Sequence, residues 1–177
     1  MIYGGRRFRE STRAVHRIGS LALRPFTSGD AGETFAAITP GVTRFMDWEP
    51  LATPEAFAEV WRAWLPLIVA ETDFHFVIRL RLSGEFLGLA GLHGTHLTAP
   101  KLGVWVKEVA HGRGYGREAI ESVIAWASSR FNIGHFVWPA AASNIPSRRL
   151  AEALNGMVVG SVSRTKYRAA IYWIPAP

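Results

Sequence analysis

Three glycines in six residues interrupt the chain at positions 111–116, His-Gly-Arg-Gly-Tyr-Gly, between an apolar alternating run at 101–107 and an amphipathic run at 117–130. A strand, a tight glycine turn and a helix N-terminus together make an anion site. The first helical N–H groups have no intrahelical partner, the helix dipole favours negative charge there, and glycine lets a phosphate approach the backbone. Arg113 and Arg117 add the prospect of charge-assisted contacts. The plainer reading is a strand-to-helix connection in which glycine only supplies positive φ. Two phosphate loops are excluded. A dinucleotide fingerprint needs a third glycine where Arg117 stands, and a P-loop needs Lys-Ser/Thr where Arg117-Glu118 follow Gly116.

Around this turn the chain alternates between strand and helix patterns. A first strand is predicted at 21–26, ending at Pro25 or lying at an edge. Thr27 and Asp30 match a loose capping box, with Ala31, Phe35 and Ile38 at helical spacing. Residues 39–50 read as irregular and aromatic. Thr53 caps a helix with Pro54 at its first position and a stripe of Phe57, Trp61, Trp64, Leu65 and Ile68; Pro66 is expected to kink or end it. Residues 74–82 and 85–94 form a hairpin about Ser83-Gly84, and 101–107 adds a strand. After the helix at 117–130 come a buried strand at 135–143, a helix at 144–156 ending at Asn155-Gly156, and a last strand in "KYRAAIYWI". The predicted order is β-α-α-β-β-β-α-β-α-β, one mixed α/β domain.

The chain has 177 residues, 49% hydrophobic and 19% charged, enough for one domain with a sizeable core. It has no cysteine, which excludes disulfides, thiolate metal sites and cysteine nucleophiles. A formal charge of +6 invites nucleic acid. However, +4 of it belongs to residues 1–20, where five arginines meet one glutamate, so the body is nearly balanced. Residues 1–20 read as a solvated basic arm, with RNA binding confined to it. No apolar run is long enough for a membrane span and no secretory signal is evident, so a cytoplasmic protein is expected.

The segment "LGVWVKEVAHGRGYGREA", followed by "NIPSRRLAEALNG", resembles the GNAT superfamily of acyl-CoA-dependent N-acyltransferases. Its Q/R-x-x-G-x-G/A motif finds His111, Gly114 and Gly116 at the three places, with histidine replacing the usual glutamine or arginine. "LRPF", "TRFMDWEP" and Asn144-x-x-Ser147 resemble the RimJ/RimL-like branch, which acetylates protein N-termini or small amines. The resemblance covers roughly residues 20–175. It implies a central, mostly antiparallel mixed sheet flanked by helices, with residues 21–177 as the acyltransferase domain. It also implies acetyl-CoA as co-substrate and no metal.

Carried over residue by residue, the resemblance puts the coenzyme pyrophosphate on His111, Gly112, Arg113, Gly114, Tyr115, Gly116 and Arg117. The pantetheine arm falls along Trp105, Val106 and Lys107, with Asn144 bonding it and Ser147 protonating the departing thiolate. Asn144 and Ser147 are also ordinary capping residue types at the start of an apolar helix, and the two roles are compatible. Asn155 and Gly156 depart from the branch's Gly-aromatic helix end.

The base is harder to place. The branch carries a glutamate where this chain has Lys101, which repels an ammonium unless burial lowers its pKa. His93 and His96 are the alternatives, His93 being the catalytic candidate; His75 reads as structural, and a water chain is a further option. Arg44, Phe45, Asp47 and Trp48 are the acceptor candidates, with Asp47 or Glu49 attracting a cationic amine. The rival reading is a non-catalytic acyl-CoA-binding or RNA-associated module. Aromatics in "AAIYWI" fit either a homodimer edge or a core strand.

Overall fold

A computed structural model describes residues 19–177; the basic arm lies outside the described residues except for Gly19 and Ser20. Among the described residues, seven strands form one sheet, ordered β1-β2-β3-β4-β5-β7-β6. They are β1 (Leu21–Pro25), β2 (Asp73–Leu80), β3 (Phe86–His93), β4 (Lys101–Val106), β5 (His135–Ala141), β6 (Met157–Ser163) and β7 (Arg168–Pro175). All neighbours pair antiparallel except β4 and β5, which are parallel. The crossover between those two is α4 (Tyr115–Arg130). The other helices are α1 (Ala31–Ala37), α2 (Pro40–Thr43), α3 (Pro54–Val69) and α5 (Ile145–Ala153).

The two faces of the sheet carry separate apolar layers. On one, α4 sets Ile120, Val123 and Ala127 against Phe74, Phe76, Leu92, Leu102 and Trp138. On the other, Trp61 and Trp64 of α3 cover Phe26, Val77 and Leu89, with Trp105 packed alongside. Strand alternation explains this partition, because neighbours along each strand point to opposite faces. Among the described residues, no helix is long and apolar enough to cross a membrane.

Four sequence expectations need correction. β6, with the sequence MVVGSVS, was not predicted; it is an exposed edge strand, so it lacks the apolar alternation of a half-buried one. β7 is therefore interior, between β5 and β6, and its aromatics are not on a sheet edge. α3 runs three residues beyond Pro66, within its last turn. Finally, residues 39–50 are not wholly irregular: Thr39 caps the four-residue α2, its hydroxyl accepting from the Val42 amide at 3.1 Å. Pro25 does end an edge strand, as its missing N–H requires.

Candidate functional site

β4 and β5 start together and then part. Their only rung is Lys101 with Val137, near the beginning of each strand. The Lys107 amide donates to the Leu87 carbonyl of β3, and the Val137 amide to the Pro100 carbonyl. Alternation along the strand therefore turns the backbone of Lys101, Gly103, Trp105 and Lys107 toward β3, and that of Val104 and Val106 toward β5. Beyond the rung, nothing in β5 meets the amides of Val104 and Val106. An extended chain laid in this gap would find strand-like partners. Of the three residues expected to line it, Val106 faces it with its backbone. Trp105 instead packs beside Phe86, at 6.0 Å between ring centroids, and Lys107 pairs with Glu85 at 2.6 Å.

The gap opens onto the glycine turn. Gly112 and Gly114 have φ of +74° and +80°, a region side chains disfavour. Gly114 is the N-cap of α4 and no side chain caps the helix. Among the described residues, none of the six amides from Gly112 to Arg117 finds an acceptor, whereas the His111 amide donates to the Glu108 carbonyl. This is a concave run of free donors at a helix N-terminus, an arrangement that suits a diphosphate. The side chain of His111 turns back to the strand, with Nε2 2.6 Å from the Val106 carbonyl oxygen. The imidazole thus ties the turn to the end of β4. Arg113 is exposed; Arg117 pairs with Glu121 at 2.7 Å on the helix surface. Tyr115 packs on the core beneath the turn.

Across the gap, Asn144 caps α5, its Oδ1 accepting from the Ser147 amide at 3.2 Å. Ser147 Oγ accepts in turn from the buried indole N–H of Trp138, on β5, at 3.0 Å. That bond takes one lone pair and leaves the hydroxyl proton free to be donated. Trp138 was not anticipated as part of the site. Its signal in the sequence was a lone tryptophan in an otherwise apolar strand, whose buried N–H needs an acceptor.

His93 lies at the end of β3, on the α3 face. Its Nδ1 is 3.1 Å from Asp73 Oδ1, and its strand partner on the other side is Lys101. Burial, aided by the Lys101 charge, lowers its pKa below the usual histidine value, and Asp73 opposes the shift. His75 stacks on Trp64 at 3.9 Å between centroids, and burial, then the His93 charge, lowers its pKa to about 3. It is neutral and structural. His96 is exposed in the following loop with no partner among the described residues.

The expected acceptor residues are tied down by the β6–β7 loop. Lys166 Nζ donates to the Thr43 and Trp48 carbonyls at 3.0 and 3.3 Å and pairs with Glu49 at 2.7 Å. Arg164 stands 3.7 Å from Asp47. Both acids assigned to attract a cationic amine are thus already matched by cations of the chain. Arg44 lies over the Phe45 ring, 5.1 Å from its centroid, and Trp48 is partly exposed.

Residues 20–157 match the family model described as "Acetyltransferase (GNAT) domain". No curated protein sequence gives a significant match. Among solved structures, the chain is similar to a RimL ribosomal L7/L12 alpha-N-protein acetyltransferase in complex with coenzyme A. There the TM-score is 0.80 at 15% identity, covering 92% of this chain and 98% of that one. A spermidine N-acetyltransferase from Vibrio cholerae, in complex with CoA and spermine, gives 0.76 at 16% identity, covering 89% and 96%. The acetyltransferase from Salmonella typhimurium that modifies the N-terminal serine of ribosomal protein L7/L12 gives 0.81 at 14%, covering 93% and 100%.

Proposed function

The chain belongs to the GNAT acetyltransferase family, and from that premise we propose that it acetylates the α-amine of a peptide or small molecule, using acetyl-CoA. The observation that carries the donor assignment is the run of six amides at 112–117, unpaired among the described residues and set at the mouth of the gap between β4 and β5. Those residues fit a diphosphate with an extended arm. Gly112 to Arg117 would hold the phosphates; Val104, Val106 and Asn144 would hold the arm. The domain is read as starting at residue 21.

Bound acetyl-CoA supplies an acetyl thioester, from which the amine takes the acetyl group while coenzyme A leaves as the thiol. The chain must then do three things: bind the amine neutral, offer an N–H to the carbonyl oxygen, and supply a proton to sulfur. The Val106 amide, facing the gap, suits the second task. Ser147 suits the third, its acceptor side occupied by Trp138. His93 suits the first: a neutral imidazole with one nitrogen bonded to a carboxylate has the other available for a proton.

An α-amine is favoured over a polyamine by charge. Asp47 and Glu49 are matched by Arg164 and Lys166, and Lys101 adds a cation beside His93. An α-amine, with a pKa of about 7.7–8.0, also needs less help in losing its proton than a lysine at about 10.4.

The test is thermal unfolding with acetyl-CoA beside ATP and NADPH, then thiol release with peptides of free N-terminus against spermidine. Donor at about 100 times its Kd adds about 2.7 kcal/mol, a rise of roughly 5–10 °C at this size. A rise with ATP or NADPH instead overturns the donor. Thiol release with spermidine but not with peptides overturns the acceptor, and none with any amine leaves only a binding module.

A further inference from the structure

His93 is held between two charges on adjacent strands. The Gly94 amide donates to the Thr72 carbonyl, so by alternation Asp73 and His93 form a non-hydrogen-bonded pair, the pairing that brings side chains closest. His93 and Lys101 are opposite one another on β3 and β4. Residues directly opposite share a face, so Asp73, His75, Gly91, His93, Lys101 and Gly103 all lie on the α3 side of the sheet.

Two glycines make the floor in front of the imidazole. A Cβ at residue 91 would stand 2.6 Å from His93 Nε2, so the ring lies over Gly91 and any side chain there would displace it. Gly103, the partner of Gly91 on β4, has nothing within 4 Å of where its Cβ would be. Nε2 therefore overlooks a bare patch of β4, the strand that borders the gap. Behind the ring, His75 meets it edge-on at 5.0 Å. The charged and titratable groups around it are Asp73 and His75 from β2 and Lys101 from β4; α3 contributes Trp64, which carries no charge.

We propose that Asp73 is the positioning residue for a histidine base, accepting the hydrogen bond of His93 Nδ1–H and so leaving the Nε2 lone pair over Gly91 to take a proton from the acceptor's ammonium. This rests on the acetyl-transfer reading above. In the step, an N–H bond of the ammonium breaks and an Nε2–H bond forms. The amine is left with its lone pair, and the imidazolium returns the proton to water. Asp73 stays ionised throughout. Burial first, and then the Lys101 charge, disfavour imidazolium, so the base stands unprotonated at neutral pH.

The tautomer is readable without turnover. In protein carrying 15N-labelled histidine, His93 is expected to hold its proton on Nδ1, and Asp73→Asn, which can donate as well as accept, is expected to mix the two tautomers. In kinetics, Asp73→Asn should cost about tenfold or more in kcat, a part of the roughly 10²–10⁴-fold that a general base contributes, and Asp73→Glu should restore part of it. The acid limb of kcat/KM should move to lower pH in Asp73→Asn, which removes a charge favouring imidazolium, and to higher pH in Lys101→Met, which removes one opposing it. A purely structural role would move neither limb. An unchanged acetyl-CoA thermal shift in each variant certifies the fold. A wild-type Nε2–H tautomer, or limbs that do not move, overturns the role of Asp73. Loss of turnover in wild type with every amine overturns the acetyl-transfer reading, and the base role with it.

Discussion

The indole N–H of Trp138, on β5, donates a 3.0 Å hydrogen bond to the hydroxyl oxygen of Ser147, on α5, the helix that follows that strand. Each residue supplies what the other needs. The buried indole requires an acceptor, and the hydroxyl, once it has accepted, keeps its proton to donate, in the proposed reaction to the leaving sulfur. Ser147→Ala is expected to lower kcat by about tenfold or more while leaving the acetyl-CoA Kd nearly unchanged. The same change orphans a buried donor and should cost about 1–3 kcal/mol of stability. Adding Trp138→Phe should return part of that stability without returning activity, which urea unfolding of the two singles and the double will show.

Gly114 has open space around its missing side chain but a φ of +80°, so a substitution there acts through the backbone rather than through a clash. Gly114→Val should cost about 1–2 kcal/mol of stability and turn the neighbouring amides away from their common focus. The acetyl-CoA thermal shift is expected to vanish. Gly32, also in open space but without positive φ, offers the control: Gly32→Ala should leave the shift intact.

Lys166 holds residues 43–49, proposed to border the acceptor, by two backbone carbonyls and one carboxylate. Lys166→Ala should loosen residues 43–49 and raise KM for the acceptor several-fold. Binding of acetyl-CoA, proposed to be held by the glycine turn and the gap, should be unaffected. Steady-state kinetics with the acceptor varied at saturating donor separate the two.

Asp30 is buried beneath Arg24 and Arg79. Burial pushes its pKa up. The Arg24 guanidinium, with the amide and hydroxyl of Thr27 and then Arg79, outweighs it and brings the carboxyl from 3.8 down to about 2. A carboxyl depressed in the folded state stabilises the protein above its unfolded pKa, and that contribution is lost as pH falls from about 4 through 2, amounting to about 2 kcal/mol. Urea midpoints measured between pH 6 and pH 2 should fall over that window, and Asp30→Asn should flatten the fall while lowering stability at pH 6.

The glycine turn, the strand before it and the helix after it were legible because each is specified locally. Alternation marked β4, φ-permissive residues marked the turn, and the apolar spacing of Ile120, Val123, Ile124 and Ala127 marked α4. Asn144 was legible for the same reason, as the cap residue ahead of Pro146, whereas Ser147, inside α5, was marked only by the Asn-x-x-Ser resemblance. β6 was not, since an exposed edge strand carries no burial pattern to read. The pairing of Asp47 and Glu49 was invisible too, because their partners Arg164 and Lys166 lie more than a hundred residues away in the chain.

The sequence by itself determined the glycine turn and the order of elements from β2 through α5, since both follow from backbone preferences and periodicity within a few residues. The surroundings of His93 were decided only by tertiary structure. Between Arg79 and Ile78 the β2–β3 register slips by one, Arg79 facing Phe86 but Ile78 facing Gly88. Without that bulge, Asp73 would stand opposite Leu92. One residue of register sends every later side chain to the other face of the sheet, so the extra residue at Leu87 is what sets a carboxylate beside the imidazole. Glycine in a strand allows such a bulge, and Gly88 stands at this one, where a Cβ would run into the Trp105 carbonyl of β4, so the slip is set by how β3 seats against its neighbours.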